Sequence, residues 1–583
     1  MSSNESNIQH TQHAFLVAWG WFAEHLGLPQ RLQAVALRQK RYHHTPQTKV
    51  LEFLVAILAG LQHLQAISLA AHPLDKDQAV AEAWDQPGWA DYSGVSRTLR
   101  GLSWAEAKAI AAALAEISQP YIDAEVTRLR GQGQRLRLDG DLTGLPVAST
   151  SQSYPNAAFG HMNDAIQLGY QAALVSLGSP TYGRLWLSVA HHPGDTVSCT
   201  QAEALVLAAE ERTGLRPKRR TELLRSRIAS FAQQTAQTDT RLACQSAAVQ
   251  SAQERLVEAE RQIAERRRQL DALRQIDQAR QGTEHPTGRL AQAHQRLQAS
   301  TQRVTSRQKA VQEAQRRLVK TTAQWRDQQV EKTRLAQRLR RFEQDNATNP
   351  TPVVAEFRLD AGFGTYENLA LLIEMGYEIY TKPYNQQVIA YLRQQVSDQT
   401  VWVRVGANAE LVAWRSLQLK RCPYALNVAL ERFYTGATVK HSALFHYGAD
   451  PVTDDLPAWF AHYNGRQTIE AGIKESKQVF YLHHLKVRSE PAIYLQECFV
   501  IFAANFIRWA AHWLADEAQP DENCLDVRQM GVKRQVHVAA HVSAQTIQSS
   551  EGRLLRFSEQ SAFAGKVLRL SGSAQSLHGS LKS

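Results

Sequence analysis

Residues Ala461 to Phe480, AHYNGRQTIEAGIKESKQVF, are the stretch on which the assignment of the whole chain turns. In a helix, at about 100° per residue, Tyr463, Arg466, Glu470 and Lys477 project within about 60° of one another. A carboxylate flanked by a guanidinium, an ammonium and a phenol suits a divalent cation beside a phosphate. The carboxylate takes the cation, and the two basic groups take phosphate oxygens. A solvated helix face with charge pairs one and two turns apart is the plainer alternative. Ile469 and Ile473 supply an apolar stripe beside the polar one, so the helix can pack on a sheet with its polar stripe at the rim.

If Glu470 is the last acid of a metal site, it needs upstream partners, and two segments offer them. Arg135 to Gly144, RLRLDGDLTG, alternates as a strand does and ends in Asp139 and Asp141. Val354 to Phe363, VAEFRLDAGF, is another strand, ending at Asp360 before a glycine and a helical run. Acids at strand ends are also common turn residues. The alternation places Asp139 and Asp141 on one face, which leaves either as the first acid.

The spacing Tyr, two residues, Arg, three residues, Glu, six residues, Lys resembles at every fixed position the YREK signature of one group of insertion-sequence DDE transposases. The resemblance covers roughly 135–514 without the long insertion described below. It implies an α/β RNase H-like core in which Asp141, Asp360 and Glu470 hold two Mg²⁺ ions, with Mn²⁺ substituting, around a scissile phosphate. Asp141 is preferred because Asp141-Leu142-Thr143 resembles the family's acid, one residue, Thr pattern, with Asp139 as the alternative. Tyr463, Arg466 and Lys477 would hold the phosphates next to the cut, and Arg358 and Lys382 are further phosphate candidates. The implied activity is Mg²⁺-dependent cut-and-paste DNA transposition. Its partners would be the double-stranded terminal inverted repeats and target DNA, and a homodimer would synapse the two ends. A non-catalytic DNA-bridging protein on the same fold and an RNase H-like nuclease without strand transfer are the alternatives.

Around these elements the chain divides into seven expected segments. Residues 1–131 read as helices, at Phe15–Leu26, Lys49–Leu69, Asp77–Trp84 and Trp104–Leu129. Tyr92–Leu102, with Arg97 and Arg100 beside hydroxyls, resembles a recognition helix in what would be the DNA-binding domain. The first stretch of the RNase H-like core, 132–215, has strands at 135–142, 166–176 and 184–190 and a helix near 200–212. Residues 216–348 carry apolar heptads, Leu242, Val249, Leu256, Ile263 and Leu270, then Leu290, Leu297, Val304, Val311, Leu318 and Trp325. Between them lies the breaker QGTEHPTG, an arrangement that predicts an antiparallel coiled-coil hairpin with arms on the order of 85 Å. One apolar position per heptad is filled consistently, so the pair would be loose.

The core resumes over 349–384, which predicts a strand at 354–360, a helix at 366–375 and a strand at 377–382. Residues 385–459 predict a small β insertion subdomain, strands 401–405, 424–430 and 438–447, where Trp402 and Trp414 are candidates to stack on an everted base. The last stretch of the core, 460–515, holds the signature helix, with Leu456 and Trp459 as its first turn and an apolar helix continuing from Gln478. His483 and His484 lack a third ligand and read as structural or DNA-facing. Residues 516–583 are a polar tail with short strands at 553–557 and 566–570.

Composition is consistent with these expectations. Against 55 Asp and Glu stand 66 Lys and Arg, a net charge of +11 that favours a polyanionic partner. Five scattered cysteines show neither CxxC nor zinc spacing, as expected of thiols in a reducing compartment. The polar start lacks a secretory pattern, and the apolar stretch 493–515 is interrupted by Glu497 and Arg508. A cytoplasmic, nucleoid-associated protein without a membrane segment is the expectation.

Overall fold

A short strand, β1 (Asn7–Thr11), precedes a run of helices. The computed structural model describes residues 7–39, 43–162, 164–279, 288–436, 438–518, 523–549 and 552–571. Residues 281–287 of the expected breaker, and residues 519–522 and the last twelve residues of the expected tail, lie outside the described residues.

Helix starts in the N-terminal region follow local chemistry. Pro46–Leu58 begins after Thr45, whose hydroxyl accepts from Thr48 N, and Trp104–Gly131 begins on a reciprocal Ser103 and Glu106 capping box. The helix expected to run from Lys49 to Leu69 stops at Leu58, two residues before Gly60 takes the left-handed conformation.

The alternation of RLRLDGDLTG becomes β2 (Leu136–Pro146), followed by β3 (Ala158–Met162), β4 (Ala165–Ser179) and β5 (Gly183–Pro193). After helix Ala202–Thr213 and the long insertion come β6 (Ala355–Leu359), helix Tyr366–Glu374 and β7 (Glu378–Thr381). β4 runs antiparallel to β2, β3 and β5, whereas β6 is parallel to β2, and β7 to β6. A Cβ on Gly140 of β2 would lie 2.9 Å from Phe357 and 3.3 Å from Leu205, so a glycine there lets the following helix lie close against the sheet.

The expected β subdomain is instead a continuation of this sheet. β8 (Val403–Arg404), β9 (Ala409–Leu417), β10 (Leu426–Thr435) and β11 (Thr438–Tyr447) form a meander whose last strand pairs antiparallel with β7. The resulting sheet has ten strands. β11 answers the free edge of β7, which strand pairing favours over leaving exposed.

Helix Glu490–Glu517 is long and apolar enough to cross a membrane by length and composition, and two thirds of its most apolar window is buried inside the protein (67%). Its Phe499, Phe506 and Trp509 share one hydrophobic core with Trp19, Phe53 and Trp84 of the N-terminal helices. Two of its polar side chains find partners there: Asn505 bonds both ways with the Trp186 backbone, and Arg508 donates to Glu475 at 2.7 Å. The expected boundary at 131/132 therefore does not separate two cores. Three late strands, β12 (Ala544–Ser549), β13 (Gly552–Phe557) and β14 (Val567–Ser571), join β1 in a second sheet of order β1-β12-β13-β14.

Contacts divide the chain into Met1–Lys218 with Thr351–Ser583, and Arg219–Pro350. The second unit is a pair of helices, Thr221–Ala279 and Gly288–Ala347, packed antiparallel, as bonds between Arg225 and Glu343 and between Arg266 and Ser300 show. Val249, Leu270, Val304 and Val311 are buried between them, as the heptads require. The second core position holds Thr238, Ser300 and Thr321 beside Leu224, Leu335 and Phe342, and Thr235 continues the first; the hydroxyls of Thr235, Thr238 and Ser300 donate to carbonyls one turn back.

Candidate active site

The parallel register of β2 and β6 sets the first two acids side by side. Gly140 is the residue opposite Leu359, so the next residues along each strand direction are Asp141 and Asp360. The signature segment forms two helices rather than the single expected one, Leu456–Asn464 and Gln467–Val479, with Gly465 and Arg466 in right-handed turn conformation between them. The break has a cause in β6. Arg358 Nη1 donates to His462 O at 3.0 Å, and a Cβ on Gly465 would fall 2.6 Å from that nitrogen. A side chain larger than hydrogen would displace the guanidinium.

Arg358 also settles the position of Asp139. Its Nε and Nη2 donate to the two Asp139 oxygens at 2.6 and 2.7 Å, both side chains being almost fully buried. Arg358 is thus spent on a buried clamp between β2, β6 and the signature segment, which leaves it no face for a phosphate. Asp139, its partner, is likewise closed off as a ligand. Lys382 pairs with Glu431 at 3.3 Å and lies 5.6 Å from the Tyr463 ring.

Asp141, by contrast, reaches the open side. Its Oδ1 accepts from Leu142 N at 2.9 Å and its Oδ2 from Arg466 at 3.2 Å. Burial, with Asp360 as neighbour, pushes its carboxyl up to about 7. Burial raises Asp360 as well, against the attraction of Arg466, and Asp360 Oδ1 is buried with no hydrogen-bond partner. Arg466 spans the site: it holds Asp141 and also Glu470, one helical turn on. Burial opposes its charge, yet the surrounding Asp141, Tyr463, Glu470 and Asp360 keep its pKa above the ordinary value. Tyr463 is buried beneath, its phenol pushed up to about 12 by burial. Burial lowers Lys477, which Asp141 attracts.

Two converging carboxylates that repel one another, one with an orphaned buried oxygen, form a donor set that fits a hard divalent cation. Glu470 does not complete it in this arrangement, because its half-exposed side chain is turned to Arg466. Accordingly, no three His, Cys, Asp or Glu groups among the described residues are assembled to hold one ion.

The acids open into a cleft of about 920 Å³ that Asp141, Glu470 and Lys477 line together with Lys474, His161 and His483. Lys474 lies on the same helical stripe as the signature residues, four residues after Glu470, so its spacing was available in the sequence. His161 arrives through the pairing of β3 with β4, which no local pattern announces. Neither tryptophan proposed for stacking lines the cleft. Trp402 lies under the Arg432 guanidinium at 4.1 Å, and Trp414 stands half-buried on β9 opposite Val428. The aromatic residue at the cleft is Tyr384, which is 59% exposed and was not singled out by sequence.

Within the N-terminal region, Arg97 and Arg100 of helix Tyr92–Arg100 are exposed, but Thr98 is buried and its carbonyl accepts from Gln39. A scan against protein-family models and a search of curated proteins found no match to this chain.

Proposed function

We propose that this chain is a DNA transposase that cuts and joins phosphodiesters at a site built from Asp141, Asp360 and Glu470. The observation that carries the reading is the register that brings Asp141 beside Asp360, with Arg466 and Lys477 of the signature segment facing Asp141. The strand neighbours β5, β4, β2, β6 and β7, antiparallel on one side and parallel on the other, support an RNase H-like core.

Mg²⁺ held by the carboxylates would lower the pKa of an attacking hydroxyl and stabilise the leaving oxygen. The chain's own groups do the rest. Asp141 and Asp360 present the oxygen donors, and a phosphate entering the cleft draws Arg466 from Glu470, freeing that carboxylate. Lys477 and Lys474 pair with the backbone charge on either side. Tyr463 supports Arg466 from below, in contact with it through its phenol.

The test is cleavage of DNA carrying the flanking element's ends, with Mg²⁺, by wild type, Asp360→Ala and Glu470→Ala. Wild type should cut and join its 3′ ends to target DNA. The two variants should bind but lose about a hundredfold to a thousandfold in cutting, the scale expected when an electrostatic catalytic group is removed. Cutting without joining would convert the reading to a nuclease. Normal cutting by either variant would end it.

A further inference from the structure

The positive charge of this chain is not spread over it. The helix pair Arg219–Pro350 contains 26 Lys and Arg against 14 Asp and Glu, while the other 451 residues contain 40 against 41. The first 131 residues, expected to bind DNA, carry 11 against 12. The entire excess of +11 therefore lies on the helix pair, and the remainder of the protein is close to neutral.

We propose that the helix pair is an arm that binds the backbone of duplex DNA without regard to sequence. An exterior serving only solubility mixes both signs near balance. Here a surplus of ten is laid along two helices of 59 and 60 residues, which at about 1.5 Å per residue extend roughly 90 Å. That length matches on the order of 26 base pairs, so several phosphates can be neutralised at once. Several of the acids present are consumed locally: Glu331 by Arg334 and Arg227, Glu343 by Arg225, and Asp345 by Arg219. On helix Gly288–Ala347, Lys309, Arg316, Lys320 and Arg326 are exposed and have no carboxylate partner among the described residues. Lys309, Arg316 and Lys320 follow at seven and four residues, which stacks them on one face. Exposed Gln312 and Gln315 stand among them and supply neutral donors to phosphate oxygens.

A second copy of the arm is the less favourable occupant, because two surfaces of the same excess charge repel. The polyanion inference stands on charge alone. The choice of DNA as the polyanion rests on the proposed function.

The experiment measures binding of the full chain to a labelled duplex of arbitrary sequence, lacking the element's ends, across a salt series. Wild type is compared with a variant carrying Lys309→Gln, Arg316→Gln, Lys320→Gln and Arg326→Gln, and with Lys76→Gln. Glutamine keeps helix propensity, and circular dichroism checks that the helices persist. The quadruple variant should bind at least about tenfold more weakly at low salt, with a log–log salt slope shallower by about 3 to 4. Lys76→Gln, which removes one exposed cation from the near-neutral remainder, should leave both quantities unchanged. An unaltered slope and affinity in the quadruple variant would overturn the proposal, as would loss of heparin binding with duplex binding intact. If no DNA is ever cut but the quadruple variant still loses duplex binding, the transposase reading fails and the arm stands.

Discussion

Asp139 and Asp141 are two residues apart on one face of one strand and have opposite energetic roles. Asp139 is ionically clamped by Arg358 in a buried, bidentate pair. Removing one partner of such a pair strands the other charge, which typically costs about 3 to 5 kcal/mol. Asp141 instead carries unfavourable burial next to Asp360, partly relieved by Arg466. Asp139→Asn should therefore lower the urea midpoint strongly, whereas Asp141→Asn should leave it unchanged or raise it while abolishing end cleavage. Equal destabilisation by both would place Asp141 in the structural clamp too. This distinction was not legible in the sequence, since alternation reports only the shared face. What separates the two acids is the residue that parallel pairing sets opposite Asp139, and Arg358 lies 219 positions away in the chain.

At the scale of elements, the signature stripe and both acid-bearing strands could be read locally, because each needs only its own spacing. The interruptions could not. A continuous helix was expected beyond Gln478, but the chain leaves helical geometry after Val479 and does not resume it until Glu490. Tyr481 takes a left-handed conformation in this connection. The connection partly buries Lys486, whose ammonium donates to Phe480 O at 3.3 Å, and desolvation lowers its pKa to about 7. The folded value lies below the unfolded one, so from about pH 7 to 10 the unfolded chain binds the extra proton. Unfolding free energy should then rise with pH across that window, by up to about 1.4 kcal/mol per unit. The penalty is fully present below pH 7 and is relieved as pH approaches the unfolded value. Lys486→Met should raise stability at pH 7 and flatten the climb between pH 7 and 9, read from urea midpoints at each pH. A climb of the same slope in the variant would assign it to other groups.

For the molecule as a whole, heptad spacing made the helix pair legible across about 130 residues, since a coiled seam repeats itself in sequence. The joining of β11 to β7 and the shared core of the N-terminal helices with Glu490–Glu517 were not, because both depend on partners far apart in the chain. The seam itself is half apolar. Val249, Val304 and Val311 alternate with buried Thr238, Ser300 and Thr321, and a hydroxyl bonded to its own helix, as those of Thr238 and Ser300 are, adds little attraction across the interface. The pair should therefore unfold separately from, and before, the body with which it shares the chain. Calorimetry should resolve two transitions, the first carrying most of the loss of far-ultraviolet helix signal from Arg219–Pro350. Val311→Asp, which buries an unpaired carboxylate in the seam, should cost about 3 kcal/mol or more and lower only the first transition. The second, set by the core around Trp19, Phe53 and Trp509, should keep its midpoint. A single transition that shifts as one in the variant would show instead that helix pair and body unfold cooperatively, and the seam would then be stabilised by more than its own residues.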